Sequence, residues 1–142
     1  MGKNELNKIK VKKLKIIKLP AGDVLRFLRK QETKRQWKFG EVYFSKIKFK
    51  KIKAWKYHLK TTMNLTVIVG KVKFVFYSHK SKRFKTIIMD EKKYTRLTIP
   101  PKIWFGFKGI SKIESIIVSL TDLTHNPKEV LKCEKKQINF DW

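Results

Sequence analysis

From Gly40 onward the chain alternates lysine with apolar residues, and this period-two pattern limits its possible folds more than any other property. Lys46-Ile47-Lys48-Phe49 and Lys71-Val72-Lys73-Phe74-Val75-Phe76 set ammonium groups on one face and apolar side chains on the other, as in a half-buried antiparallel strand. Similar segments recur at 41–49, 52–58, 64–69, 71–77, 84–89, 95–99, 103–107 and 114–120. Short strands at this spacing predict an all-β sandwich or barrel. Gly70 leaves almost no loop between two of them, which marks a tight hairpin or bulge. Pro100-Pro101 joins two more and brings Trp104, Phe105 and Phe107 with it.

The ends are less regular. Residues 8–19 alternate for part of their length and stop at Pro20, so residues 1–19 read as an N-terminal arm or edge strand and 20–142 as a single domain. Residues 24–36 fit a helical turn or a strand equally well, and 128–132 read as a short C-terminal helical segment. A chain of 142 residues with 42% hydrophobic content and ten Phe can bury one sizeable core and offset its ordering entropy. No apolar run approaches eighteen residues and the first residues lack a secretory leader pattern, so a cytoplasmic protein with no membrane partner is expected.

The formal net charge is +25, and basic surface attracts polyanions. The basic residues are 31 Lys and 5 Arg, however, whereas bidentate reading of phosphates and guanine edges favours the guanidinium. Lysine also serves as the polar partner in nearly every strand and does not gather in one patch. A basic nucleic-acid-binding β-barrel therefore stands as an alternative to a solvated lysine face from which a few cations serve a phosphate-bearing ligand.

Candidate chemistry is sparse. Cys133 is the single cysteine, which fits packing better than catalysis. None of His58, His79 and His125 has a second ligand at metal-site spacing, so no metal is expected. His79 and His125 sit in loop-like sequence. His58 ends a strand, and strict alternation puts Ile52, Ala54, Lys56 and His58 on one face and Lys53, Trp55 and Tyr57 on the other. If the His58 face points inward, an imidazole and an ammonium share a cavity, an arrangement suited to proton transfer on an anionic ligand.

Four ordered landmarks are Trp55-Lys56-Tyr57-His58, Met63 to Val72, Arg96 to Phe107 and Leu120-Thr121-Asp122. Over residues 20–142 they resemble the dTDP-4-dehydrorhamnose 3,5-epimerase family, most nearly a short branch of sugar-nucleotide epimerase-like proteins. The resemblance implies a cupin jelly-roll barrel, a homodimer, and neither metal nor other cofactor. It also implies a dTDP-type nucleotide-linked 4-keto-6-deoxy sugar as substrate in polysaccharide biosynthesis. His58 would abstract a proton in an epimerase or ketoisomerase; a non-catalytic cupin binding a nucleotide sugar or other anion is the alternative.

Several family positions carry other residues in this chain. The proton-donating tyrosine falls on Val118, the phosphate-contacting arginine on Trp55, a strand-opening lysine near Met63, and the Gly and His of the Pro-Pro turn on Lys102 and Phe105. For the missing acid, Tyr57, Tyr43 and Tyr94 are candidates, and Asp122 or Asp141 could support the histidine. Trp55, Trp104 and Phe105 would stack on a base or sugar, Lys56, Lys60 and Arg96 would meet the diphosphate, and Asn64 completes the expected binding set.

Overall fold

The computed structural model describes residues 4–142; the first three residues of the expected arm lie outside that range. The strands are β1 (Lys10–Lys13), β2 (Ile16–Ile17), β3 (Val24–Leu25), β4 (Glu41–Ile47), β5 (Ile52–His58), β6 (Met63–Val69), β7 (Lys71–Ser78), β8 (Arg83–Asp90), β9 (Thr95–Ile99), β10 (Trp104–Gly109), β11 (Ser115–Thr121) and β12 (Val130–Lys132). One five-stranded antiparallel sheet runs β1-β9-β6-β11-β4 and the other β12-β5-β10-β7-β8, with β2 and β3 as a small separate pair. The architecture is an all-β, cupin-like jelly roll.

Alternation decides which side chains meet between the sheets. Leu65, Val67, Phe74, Phe76, Met89, Leu97 and Ile117 are each no more than 2% exposed and form one cluster, a burial worth roughly 1.5–3 kcal/mol for each large side chain. Most lysines at intervening positions keep their charge in water, at little desolvation cost to the fold. Leu6 and Ile9 join the same cluster, and β1 extends the first sheet by pairing with β9. Residues 24–36 combine both readings, with β3 followed by a 3-10 turn, Lys30–Glu32. The segment expected as a C-terminal helix is a 3-10 turn, Pro127–Glu129, that gives way to β12. Asn126 caps that turn by accepting from the Lys128 amide at 3.0 Å, and pairing with β5 then draws residues 130–132 into the sheet. Among the described residues no helix is long and apolar enough to cross a membrane.

Strict alternation fails near the end of β6, where Ile116 pairs with Val69 but Ile117 with Val67, and in β5. Phe105 of β10 pairs with Lys56 and Phe107 with Lys53, a register shift that puts two β5 residues opposite Gly106. Such a bulge inverts the parity of a strand, so Lys53 joins Lys56 and His58 on the inner side. Gly106 leaves the necessary room: a Cβ built there would lie 2.6 Å from the Ala54 Cβ.

Candidate active site

A cavity of about 830 Å³ opens between the sheets, with β5 and β10 on one wall and β4, β6 and β11 on the other. His58 lines it, and its Nδ1 lies 2.9 Å from Glu129 Oε2. The carboxylate accepts, so Nδ1 carries the proton and Nε2 is the nitrogen left for chemistry. Glu129 Oε1 accepts from the amides of Lys60 and Thr61, both at 2.8 Å. Burial opposes ionisation of Glu129, but the hydrogen bonds from His58 and those two amides outweigh it and hold its pKa at about 2. A permanent anion therefore orients the imidazole and favours the imidazolium that proton abstraction would create.

Three further contacts fix His58. Val130 of β12 pairs opposite it, the Lys102 amide of the Pro-Pro turn donates to its carbonyl at 2.7 Å, and the Phe105 ring stacks on its imidazole at 6.0 Å and 17°. The two prolines supply no amide N–H, so Lys102 is the first residue of that turn able to make such a bond.

Across the cavity stands Tyr43, paired with Ser119 in the β4–β11 ladder. Burial pushes its phenol above the ordinary tyrosine value, with the Ser119 hydroxyl opposing the shift and Glu41 adding to it. The hydroxyl is therefore a neutral donor and acceptor at neutral pH. Val118 is absent from the cavity wall; it pairs with Phe44 and Thr66 on the outward side of β11, while Ile117 and Ser119 face in. The phenol on the wall facing His58 thus comes from β4.

The other expected site residues divide. Lys56 and Phe105 line the cavity, as does Trp55. The Trp55 ring is 1% exposed, packs at 5.2 Å on Trp142, and donates through Nε1 to the Lys135 carbonyl at 3.3 Å. Tyr57 and Trp104 are outside the lining and pack on each other at 5.1 Å. Asn64 is also outside it, accepting from the Thr98 hydroxyl at 2.7 Å. Arg96, 6% exposed, donates to the Phe27 carbonyl at 2.9 Å and lies 3.6 Å from Glu32. Lys60 contributes its amide to Glu129, and Asp122 accepts from the Thr62 amide at 2.8 Å. Burial raises the Asp122 carboxyl, against the hydrogen bond from Thr62. The support expected from Asp122 or Asp141 is supplied by Glu129. No local sequence signal marks Glu129 for this role: it ends the turn capped by Asn126, and only the pairing of β12 with β5 brings it to His58.

His125, Lys53 and Lys132 also line the cavity, and strict alternation or loop-like sequence had set the first two elsewhere. No group of three or more His, Cys, Asp or Glu side chains suited to a metal ion occurs among the described residues.

No protein-family model matches the sequence, and no curated protein does. Among solved structures, a dTDP sugar isomerase from Desulfovibrio desulfuricans G20 is 30% identical, with a TM-score of 0.85 over 94% of this chain and 90% of that one. The chain belongs to the dTDP-4-dehydrorhamnose 3,5-epimerase-like family. Two more distant structures share the epimerase-like fold. A dTDP-6-deoxy-D-glucose-3,5-epimerase from Legionella pneumophila Philadelphia 1, in complex with dTDP-4-keto-L-rhamnose, is 15% identical with a TM-score of 0.81, covering 95% of this chain and 78% of that one. A sugar 3,4-ketoisomerase from Thermoanaerobacterium thermosaccharolyticum, in complex with TDP, is 16% identical with a TM-score of 0.78, covering 94% and 93%.

Proposed function

We propose that this protein is a 3,4-ketoisomerase of a dTDP-linked 4-keto-6-deoxy sugar. The observation that carries this reading is the Glu129-oriented imidazole of His58 on one wall of a cavity whose other wall presents the Tyr43 hydroxyl. His58 Nε2 takes the proton from C3, next to the keto group, and the electrons of that C–H bond form an enediolate across C3 and C4. The imidazolium returns the proton to C4, while the Tyr43 hydroxyl passes a proton from O3 to O4. The carbonyl moves from C4 to C3, one C–H bond is lost and one gained, and no outside oxidant or reductant is needed. The 30%-identical structure is that of a dTDP sugar isomerase, which supports the isomerase over the epimerase reading.

The protein works as a cytoplasmic homodimer in this reading. The outward side of the first sheet supports the pairing, since Val42 is 51% and Phe44 63% exposed at alternate positions of β4, an apolar patch of the kind that a second copy covers.

The test is incubation of dTDP-4-keto-6-deoxyglucose with wild type and His58→Asn in heavy water. Deuterium at C4 with the carbonyl at C3, lost in the variant, is the expected result. Deuterium at C3 or C5 with the carbonyl still at C4 would make the chain an epimerase. No exchange, together with a rise in melting temperature on adding dTDP, would make it a non-catalytic binder. Oligonucleotide binding that falls steeply with salt, without any effect of dTDP, would favour the nucleic-acid alternative.

A further inference from the structure

Three lysines that the proposed proton transfer does not use line the cavity beside His58. Lys53 and Lys56 come from β5 and Lys132 from β12. Lys56 and Lys132 stand directly opposite one another in the β5–β12 ladder, a position where like charges repel. Water still reaches Lys56, yet partial burial lowers its ammonium below the ordinary lysine value, with Lys132 and Lys53 adding repulsion. No carboxylate among the described residues forms an ion pair with any of the three. Glu134, on the same rim, is 3.3 Å from Lys136 instead. The Lys53 ammonium is held by the Lys46 carbonyl at 2.8 Å and lies 6.0 Å from the Phe107 ring centre.

Mutually repelling cations without counterions weaken a fold, and an anion held among them removes that penalty. Their placement defines which anion. Lys56 is two residues before His58 on the same inner side, about 7 Å along the strand, roughly one pyranose ring and its glycosidic oxygen from the base. Lys53 follows beyond the bulge, so the cations run in a row away from the imidazole.

We propose that Lys53, Lys56 and Lys132 seat the diphosphate of the nucleotide-linked ligand, with Lys56 and Lys132 on the phosphate next to the sugar and Lys53 on the one beyond it. The assignment rests on the nucleotide-sugar reading given above, and it places the phosphate contacts of this chain on the bulged strand and the C-terminal strand.

Calorimetric titration with inorganic pyrophosphate, dTDP and thymidine tests it. Wild type should bind pyrophosphate and dTDP, and Lys56→Gln or Lys132→Gln should weaken both by about tenfold or more. Thymidine binding should be unchanged, and so should every affinity in the remote control Lys92→Gln. Lys132→Gln should also leave the ligand-free melting temperature unchanged or raise it, because repulsion is relieved, whereas a lysine with a purely structural role would lower it. Lys132→Arg should retain binding. The assignment is overturned if wild type binds neither pyrophosphate nor dTDP, if the double variant Lys56→Gln/Lys132→Gln holds dTDP within twofold of wild type, or if thymidine is weakened equally. Failure of the ketoisomerase reading has a separate signature, dTDP binding that depends on these lysines without deuterium exchange into the sugar.

Discussion

The Nδ1 of His58 and the Oε2 of Glu129 lie 2.9 Å apart although 71 residues separate them in the chain. The histidine ends a strand of the second sheet, and the glutamate belongs to a 3-10 turn leading into the strand that pairs beside it. Orientation of the imidazole therefore depends on a C-terminal segment that docks at the edge of the barrel.

Glu129→Gln keeps an oxygen for the Lys60 and Thr61 amides but removes the charge that favours the imidazolium. Turnover should fall roughly 10²-fold or more, with a smaller loss of melting temperature than Glu129→Ala, which leaves two amides without their acceptor at a cost of about 1–3 kcal/mol. The Glu129 pKa is about 2 in the fold against 4.5 for a free glutamate. Its stabilising contribution is thus complete above about pH 4.5 and is lost as pH falls toward 2. Glu32, held at about 2 chiefly by the Arg29 amide and then by Lys12, behaves the same way. Thermal melts from pH 6 to pH 2 should show a steep decline that Glu129→Gln and Glu32→Gln each make shallower.

Tyr43→Phe removes the hydroxyl on the wall facing His58 and leaves the ring in place. Turnover should fall about 10²-fold while the melting temperature changes little. Because burial raises the phenol, any alkaline limb that depends on its ionisation in the rate profile should lie above the ordinary value of 10.0. A variant with unchanged turnover would exclude Tyr43 as the proton carrier.

Gly106→Ala tests the bulge. The added methyl would meet the Ala54 Cβ at 2.6 Å and the Lys53 carbonyl at 3.0 Å, so a stability loss of about 1–3 kcal/mol is expected in chemical denaturation. Since the bulge turns Lys53 inward, dTDP affinity should drop as well.

Phe44→Lys places a charge in the middle of the exposed apolar patch of β4. Sedimentation should show a dimer for wild type and a monomer for the variant, with the fold intact by circular dichroism; a monomeric wild type would rule out this interface.

The main strands were legible because alternation is a local property. β5 and β9 have the bounds that alternation predicts, and the other main strands differ by a few residues at their ends. The family landmarks and the shared face of His58 and Lys56 were equally accessible, although which way that face points was not. What escaped was set by contacts distant in sequence. Lys53 changed sides because Gly106, on another strand, admits an extra residue opposite it. Glu129 was not legible as the partner of His58, because nothing within residues 122–142 shows that the segment returns to β5. Arg96 read as a phosphate ligand until its burial against Phe27 and Glu32 gave it other work. Tyr43 was one of three tyrosine candidates, and the pairing of β4 with β11 is what distinguishes it.

The docking of β12 separates two properties that are fused in most enzymes. Val130 to Lys132, half-buried or exposed, pair the Glu129-bearing segment with the sheet, with backbone bonds between Leu59 and Glu129 and between Trp55 and Cys133 beside them, whereas the core that keeps the two large sheets together lies elsewhere. Changes confined to this edge can release the His58 imidazole from its carboxylate and spare the barrel. For a catalyst of the proposed kind, the evolutionary path to a simple receptor for the same ligand is short, travelled by altering a few residues at one rim.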